Sequence, residues 1–317
     1  MTTPLIFPAS VFQAAFGKES EYGSGTGTTI LGVLGVQMSV EDFKLDNRFD
    51  ALYTLGAREA QLFYSQGIEI TASVKYTMAT DNKNWLDLIL YKQGSTTISW
   101  TIPSRAGVLP STYMNLQDQN GYFYTASGFV AKSAKFTFEE GKTCDVTLDM
   151  QGKYVTYAAS STAPQTFTGG LTYPIQFTTW ANVQVTYNGK YGSTTFGVQP
   201  IKTLSLTIDN DPEFFYGLGS IDYTAYTPKK LTVSGDLEIL HDSNLIEHML
   251  TTSSTQSSTN TYDLTLTIGS DYGSPYIIKI EGMYWSDGSM TFTPVDPVVD
   301  KFSFKARTIQ VTTSVII

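Results

Sequence analysis

The stretch LDNRFDALYTLGA (residues 45–57) recurs as IDNDPEFFYGLGS (residues 208–220), without a gap, at an offset of 163. Five positions are identical: Asp46/Asp209, Asn47/Asn210, Tyr53/Tyr216, Leu55/Leu218 and Gly56/Gly219. The same offset continues into IEITASVKY (residues 68–76) and LTVSGDLEI (residues 231–239). Both nine-residue runs alternate strictly, which predicts a strand with one wet face. The polar positions are Glu69, Thr71, Ser73 and Lys75 in the first run, and Thr232, Ser234, Asp236 and Glu238 in the second. A period this long exceeds the 20–50 residues of solenoid repeats and predicts a duplicated domain. The 45–57 stretch itself reads as a loop leaving a strand.

Shorter echoes follow in the same order with small shifts of offset. Tyr22-Gly23-Ser24 matches Tyr191-Gly192-Ser193, and TISWTIPS (97–104) resembles DLTLTIGS (263–270). Gly128-Phe129 echoes Gly282-Met283, KFTF (135–138) echoes SMTF (289–292), and Val146-Thr147-Leu148 echoes Phe302-Ser303-Phe304. Each half also carries a helical pattern. Asp81-Asn82 can cap NKNWLDLILYK (82–92), where Trp85, Leu86, Ile89 and Leu90 share a face; His241-Asp242-Ser243 can cap NLIEHML, where Leu245, Ile246, Met249 and Leu250 do the same. Two domains are expected, residues 1–160 and 173–317, joined by a linker at 161–172 in a tract rich in Ser, Thr, Gly and Pro. The polar run TTSSTQSSTNT (251–261) reads as a surface loop.

Twenty Tyr, eighteen Phe and abundant Thr and Ser favour strands. With 41% apolar and 15% charged residues, the chain has material for real cores. A formal charge of −9 argues against tight binding to a nucleic-acid backbone, though not against DNA passing nearby. The single Cys144 rules out an intramolecular disulfide and reads as a buried, inert thiol. The N-terminus lacks the basic region of a signal peptide, and no run is long or apolar enough to span a bilayer as a helix, so synthesis in a cytoplasm and no membrane partner are expected.

No constellation for catalysis stands out, and the chain is expected not to be an enzyme and to need no cofactor or metal. The two histidines, His241 and His248, lie two helical turns apart and read as surface or half-buried residues. Gly23-Ser24-Gly25-Thr26-Gly27 lacks the spacing of a phosphate loop and reads as a flexible tip. Asp209, Asp211 and Glu213 alternate like calcium ligands, but Phe214 stands where such a loop needs glycine, and the first copy places Arg48 among them.

The pattern resembles the tail tube (major tail) proteins of long-tailed viruses. The resemblance is carried by YGS, the LDNRFDALYTLGA segment, IEITASVKY, NWLDLILY, AKFTFEEG and CDVTLDM in the first half. In the second half YGS, LSLTIDNDPEFFYGLGS, LTVSGDLEI, NLIEHML, SMTFTP and DKFSFKA take the same roles. It implies an all-β fold with one flanking helix per domain: two tandem β-sandwich or barrel domains whose strands form a shared central barrel. It also implies a virion protein of the tail, made in the host cytoplasm. Three chains would make a pseudo-hexameric ring, and rings would stack into a tube conducting DNA to the host. Implied partners are further copies of the chain, a tape-measure protein, and terminator and baseplate proteins, with DNA passing through without specific binding.

If each half supplies four strands, three chains supply about 24. At about 4.8 Å spacing and about 40° tilt the backbone diameter is roughly 48 Å, leaving a bore of roughly 38 Å; twelve strands would leave only roughly 14 Å. Duplex DNA fits the first and not the second. The repeated loop is then expected to bridge to a neighbour, once within the chain and once between chains, through Asp46, Asn47, Arg48, Phe49 and Tyr53 and through Asp209, Asn210, Asp211, Pro212 and Tyr216. The eight polar strand residues named above are the candidate bore-facing positions, with an acidic balance that repels phosphates. Two other readings stay open: a tail terminator or baseplate hub that forms one ring and stops, and a carbohydrate-binding surface β-sandwich using Tyr122, Tyr124 and Tyr226.

Overall fold

The computed structural model describes residues 13–27, 29–32, 34–52, 62–79, 85–93, 99–101, 109–117, 123–158, 183–191, 194–195, 201–240, 262–268, 276–291 and 298–313. In chain order the first half contains β1 (Gln13–Lys18), β2 (Thr29–Gly32), β3 (Val36–Leu52), β4 (Leu62–Thr77), α1 (Leu86–Ile89), β5 (Tyr91–Gln93), β6 (Ser99–Thr101), β7 (Thr112–Gln117), β8 (Phe123–Glu139), β9 (Asp145–Gly152) and β10 (Tyr154–Ala158). The second contains β11 (Val183–Tyr191), β12 (Thr194–Thr195), β13 (Ile201–Asp209), β14 (Glu213–Tyr216), β15 (Tyr223–Thr227), β16 (Thr232–Leu240), β17 (Tyr262–Ile268), β18 (Tyr276–Thr291) and β19 (Val299–Thr313).

Eight long strands form one antiparallel ribbon in the order β3-β4-β9-β8-β13-β16-β19-β18. Each half contributes four neighbours, and the halves meet where β8 pairs with β13, from Thr203↔Glu139 to Asp209↔Ser133. Successive side chains point to opposite faces. One face is therefore apolar: Ile70, Val74, Leu148, Phe136, Leu206, Val233 and Phe304 are all buried in the core. The other is polar along a continuous register, for example Lys75, Thr147, Lys135, Thr207, Ser234 and Lys305 across six strands. The ribbon is open, so the shared barrel expected above is not closed by one chain.

The two halves repeat their registers. In the hairpin β3–β4, Asp46 faces Glu69 and Leu45 faces Ile70; in β13–β16, Asp209 faces Thr232 and Ile208 faces Val233, a displacement of 163 at every position. Further on, the displacement is 154. Ser133↔Asp149 and Lys135↔Thr147 recur as Asp287↔Ser303 and Ser289↔Lys301, and Tyr154↔Ser127 recurs as Thr308↔Glu281. The register shift between Ala131 and Ser133 recurs between Trp285 and Asp287. Gly128 and Gly282 adopt positive φ, 72° and 68°. A Cβ at either would meet the side chain of Lys153 (2.6 Å) or Arg307 (2.9 Å), and these two residues are again 154 apart.

Pairing also corrects two of the sequence echoes. β17 lies beside β18 as β7 lies beside β8, with Tyr262↔Met283 matching Thr112↔Phe129. The counterpart of DLTLTIGS is therefore β7, not TISWTIPS, whose strand β6 instead pairs with β19. Val146 faces Tyr76 as Asp300 faces Ile239, so Val146 corresponds to Asp300, two residues from the expected Phe302. A shift of two keeps the same face, which is why the alternation pattern tolerated it.

The stretch read as a loop at 45–57 is strand as far as Leu52. The helix expected over NKNWLDLILYK (82–92) is a single turn, Leu86–Ile89. Every residue from Trp85 to Leu90 is buried, Trp85 between the rings of Tyr76 (5.8 Å) and Phe136 (5.5 Å). A segment buried all round gains nothing from an amphipathic stripe, and at Leu90 the backbone is already extended for β5 (φ −129°, ψ 158°). The capping pair Asp81-Asn82, the second predicted helix, the linker 161–172 and the 251–261 run lie outside the described residues.

Candidate functional site: the polar ribbon face and the repeated loop

All eight residues expected to line a wet face sit on the polar side of the ribbon, exposed or half-buried, while the residues between them are buried. Their neighbours complete the surface. The carboxylate of Asp149 accepts hydrogen bonds from Ser73 Oγ and Ser133 Oγ, each 2.9 Å. The corresponding positions in the second half are Asp236, Ser303 and Asp287, so hydroxyl–carboxylate–hydroxyl becomes carboxylate–hydroxyl–carboxylate, with Ser303 Oγ donating to Asp236 Oδ1 at 2.6 Å. Thr77 Oγ1 donates to Asp145 at 2.9 Å, and Lys301 pairs with Glu238. Across the junction of the halves, Thr137, Ser205, Asp236, Glu238, Ser289 and Lys301 line a shallow concavity.

The sequence reading passed over Asp145, Asp149, Glu139, Lys135, Asp287 and Lys301 on this face. The signal was present in CDVTLDM, whose period of two puts Asp145, Thr147 and Asp149 on one side. Chemically the surface offers carboxylates and hydroxyls engaged with one another, with lysines interspersed.

The second copy of the repeated loop makes its contacts on the first half of the chain. Asn210 is 2% exposed; its N–H donates to Lys132 O (2.7 Å), and Nδ2 donates to Ile89 O (3.3 Å) and Ala131 O (3.5 Å). The Asp211 N–H donates to Asp209 Oδ1 (3.0 Å) and closes the turn, with Asp211 at φ 36°, so Asp209 is engaged by backbone. Pro212 is buried behind this turn. The hairpin β14–β15 then lies over the first half. Tyr216 Oη donates to Ile68 O (3.4 Å), the Ile68 N–H donates to Ile221 O (2.9 Å), and Gln151 Nε2 donates to Tyr223 Oη (2.8 Å).

Aromatic packing fastens the same hairpin. Tyr226 stacks on Tyr22 at 4.8 Å and donates to Leu109 O, and Tyr223 packs on Tyr216 (4.4 Å) and Phe214 (5.0 Å). Burial pushes the phenol of Tyr226 up to about 12 and those of Tyr22 and Tyr223 further still. Tyr226 is therefore spent inside the fold, not displayed for a sugar; Tyr124 is half-buried, and Tyr122 lies outside the described residues.

The first copy is placed differently. Asp46, Asn47 and Arg48 are exposed on β3. Arg48 pairs with Glu69, whose charge holds the guanidinium above its ordinary range, and Lys44 Nζ lies 3.3 Å from Asp46. Phe49 belongs to β3, but its side chain, like Tyr53, lies outside the described residues.

The remaining motifs resolve as structure. Glu19, 9% exposed, accepts the N–H groups of Gly23 (2.9 Å), Gly25 (3.0 Å) and Gly128 (3.0 Å), so the glycine-rich tip is a tied turn and not a flexible one. Asp263 accepts the Gly282 N–H at 3.0 Å in the second half. Cys144 is buried, and burial, aided by Asp145, pushes its thiol up to about 12. His241 and His248 lie outside the described residues. Among the described residues no helix is long and apolar enough to cross a membrane.

No curated protein matches the sequence. The family model of the phage tail tube protein matches residues 13–306. That match takes in most of the chain and nearly all of the ribbon's strands, so this chain belongs to the phage tail tube protein family and is a structural tail protein.

Proposed function

We propose that the two halves are copies of one tube domain, that three chains close into a pseudo-hexameric ring, and that rings stack into the hollow tail through which DNA passes to the host. The observation that carries this reading is the β8–β13 pairing, which joins two four-stranded units of the same order and register into one ribbon. Three such ribbons supply about 24 strands and, as estimated above, a bore of roughly 38 Å. The polar face turns inward. Glu69, Thr71, Ser73, Lys75, Thr232, Ser234, Asp236 and Glu238 line the bore together with Asp145 and Asp149, and their carboxylates keep phosphates from adhering. The apolar face packs outward against the flanking strands. A tape-measure protein inside the tube and terminator and baseplate proteins at its ends complete the assembly.

Electron microscopy of the purified protein tests this directly. Long hollow rods with pseudo-sixfold end views and an axial channel wide enough for a duplex are expected. Isolated rings that never stack would instead favour a terminator or hub, and a particle without a channel would end the proposal.

A further inference from the structure

The sheets that flank the ribbon are built alike in the two halves except at one edge. The first half has the order β2-β1-β7-β8-β10, and the second β12-β11-β17-β18-β19. In the second half the sheet goes on: β6 of the first half pairs with β19 on the side away from β18, and β5 pairs with β6. The first half therefore lends a strand pair to the second. The displacement of 154 places Thr156, Tyr157 and Ala158 of β10 where Gln310, Val311 and Thr312 of β19 receive β6. Among the described residues β10 pairs with β8 alone, and its other edge is open.

Exposure follows the same division. Ile309 and Val311 are 1% exposed. Val155, at the place of Ile309, is only half-buried, and Thr156, at the place of the half-buried Gln310, is exposed. An open edge presents N–H and C=O groups that an extended segment can pair by main-chain hydrogen bonds. We infer that residues 251–261 of one copy add a strand to β10 of the next copy. This rests on the ring reading above, but the contact lies outside the ribbon, so it can fail while the ring stands.

The occupant follows from the repeat. The segment that lends β5 and β6 lies between α1 and β7, at 91–111; its counterpart, between NLIEHML and β17, is 251–261. The match of β17 to β7 is fixed by their pairing with β18 and β8. Within the chain the loan runs from the first half to the second, in the direction of the β8–β13 junction. Repeated from the second half, it reaches the first half of a second copy. TTSSTQSSTNT holds five threonines and neither glycine nor proline, a composition suited to a strand, and its polarity suits an edge facing water. It is ten residues shorter than 91–111, which leaves room for one strand instead of two. The remaining residues span back to Tyr262 at about 3.3–3.6 Å each.

Disulfide mapping between two chains tests the occupant. Thr156→Cys protein is assembled with protein carrying one cysteine substituted at each position from 251 to 261 in turn; the buried Cys144 does not compete. A strand against β10 brings facing Cβ atoms to about 4.5–5.5 Å, close to disulfide reach. Oxidation should give a covalent dimer at one position, falling away two residues to either side. In the unsubstituted protein, amide exchange at 155–158 should slow on assembly. Tubes with no covalent dimer at any position overturn the inference and leave the tube reading intact, as does a link that forms only when both cysteines lie on one chain. Slowed exchange without a link assigns the edge to another occupant and also overturns it. Protein that never forms rings, with the variants folded, overturns both readings.

Discussion

Gln151 Nε2 donates a 2.8 Å hydrogen bond to Tyr223 Oη, tying β9 of the first half to the hairpin β14–β15 of the second. Both residues are buried, Gln151 to 5% and Tyr223 to 3%. Tyr223→Phe leaves the amide without that acceptor inside the protein. The expected loss is about 1–3 kcal/mol of unfolding free energy, read from denaturant titration. A variant as stable as the parent would show that the hairpin does not depend on this bond.

The same hairpin makes the fold sensitive to alkali. Tyr22, Tyr223 and Tyr226 all have phenols raised by burial, Tyr226 to about 12, against an ordinary value of 10. The unfolded chain ionises these groups first. Their contribution is therefore fully present below about pH 10 and is lost as the pH climbs from there towards 12. Melting temperature should fall over that window, and Tyr22→Phe/Tyr226→Phe should flatten the fall. A melting temperature independent of pH above 10 contradicts the argument.

Gly128→Ala and Gly282→Ala should destabilise alike. Both glycines hold positive φ, and a Cβ would press on Lys153 or Arg307. A non-glycine residue in this conformation costs about 1–2 kcal/mol. Thermal denaturation of the two single variants measures it, and a neutral result at either site would separate the two turns physically.

Leu45 and Ile208 should respond in opposite ways. Ile208→Ala empties a fully buried site and should cost about 2–5 kcal/mol of folding stability. Leu45→Ser removes an exposed side chain and should leave monomer unfolding within about 0.5 kcal/mol while weakening assembly. Denaturation paired with sedimentation distinguishes these outcomes; equal destabilisation of the monomer by both would mean that the β3 edge is complete without a partner.

Much of this was written in local pattern. The offset between Asp46-Asn47 and Asp209-Asn210 declared the repeat, and strict alternation from Ile68 to Tyr76 and from Leu231 to Ile239 declared the strands and their wet faces. Alternation is a local, period-two property of a half-buried strand, so it survives without knowledge of neighbours. The single turn at Leu86–Ile89 was not legible at its true length, because WLDLILY satisfies a helical stripe equally well until packing around Trp85 is known. Tyr226 read as exposed because only the folded chain brings Tyr22 and Leu109 against it.

The sequence by itself determined a β-rich chain with a repeated segment and a polar strand face in each half. Which strands became neighbours was decided only in three dimensions. The β8–β13 pairing, the true counterpart of β17, and the different fates of Asn47 and Asn210 join residues far apart in the chain. Backbone hydrogen bonds between strands carry no side-chain code. A strand's face is fixed by its own sequence, but its partner is chosen by the competition of whole edges for burial.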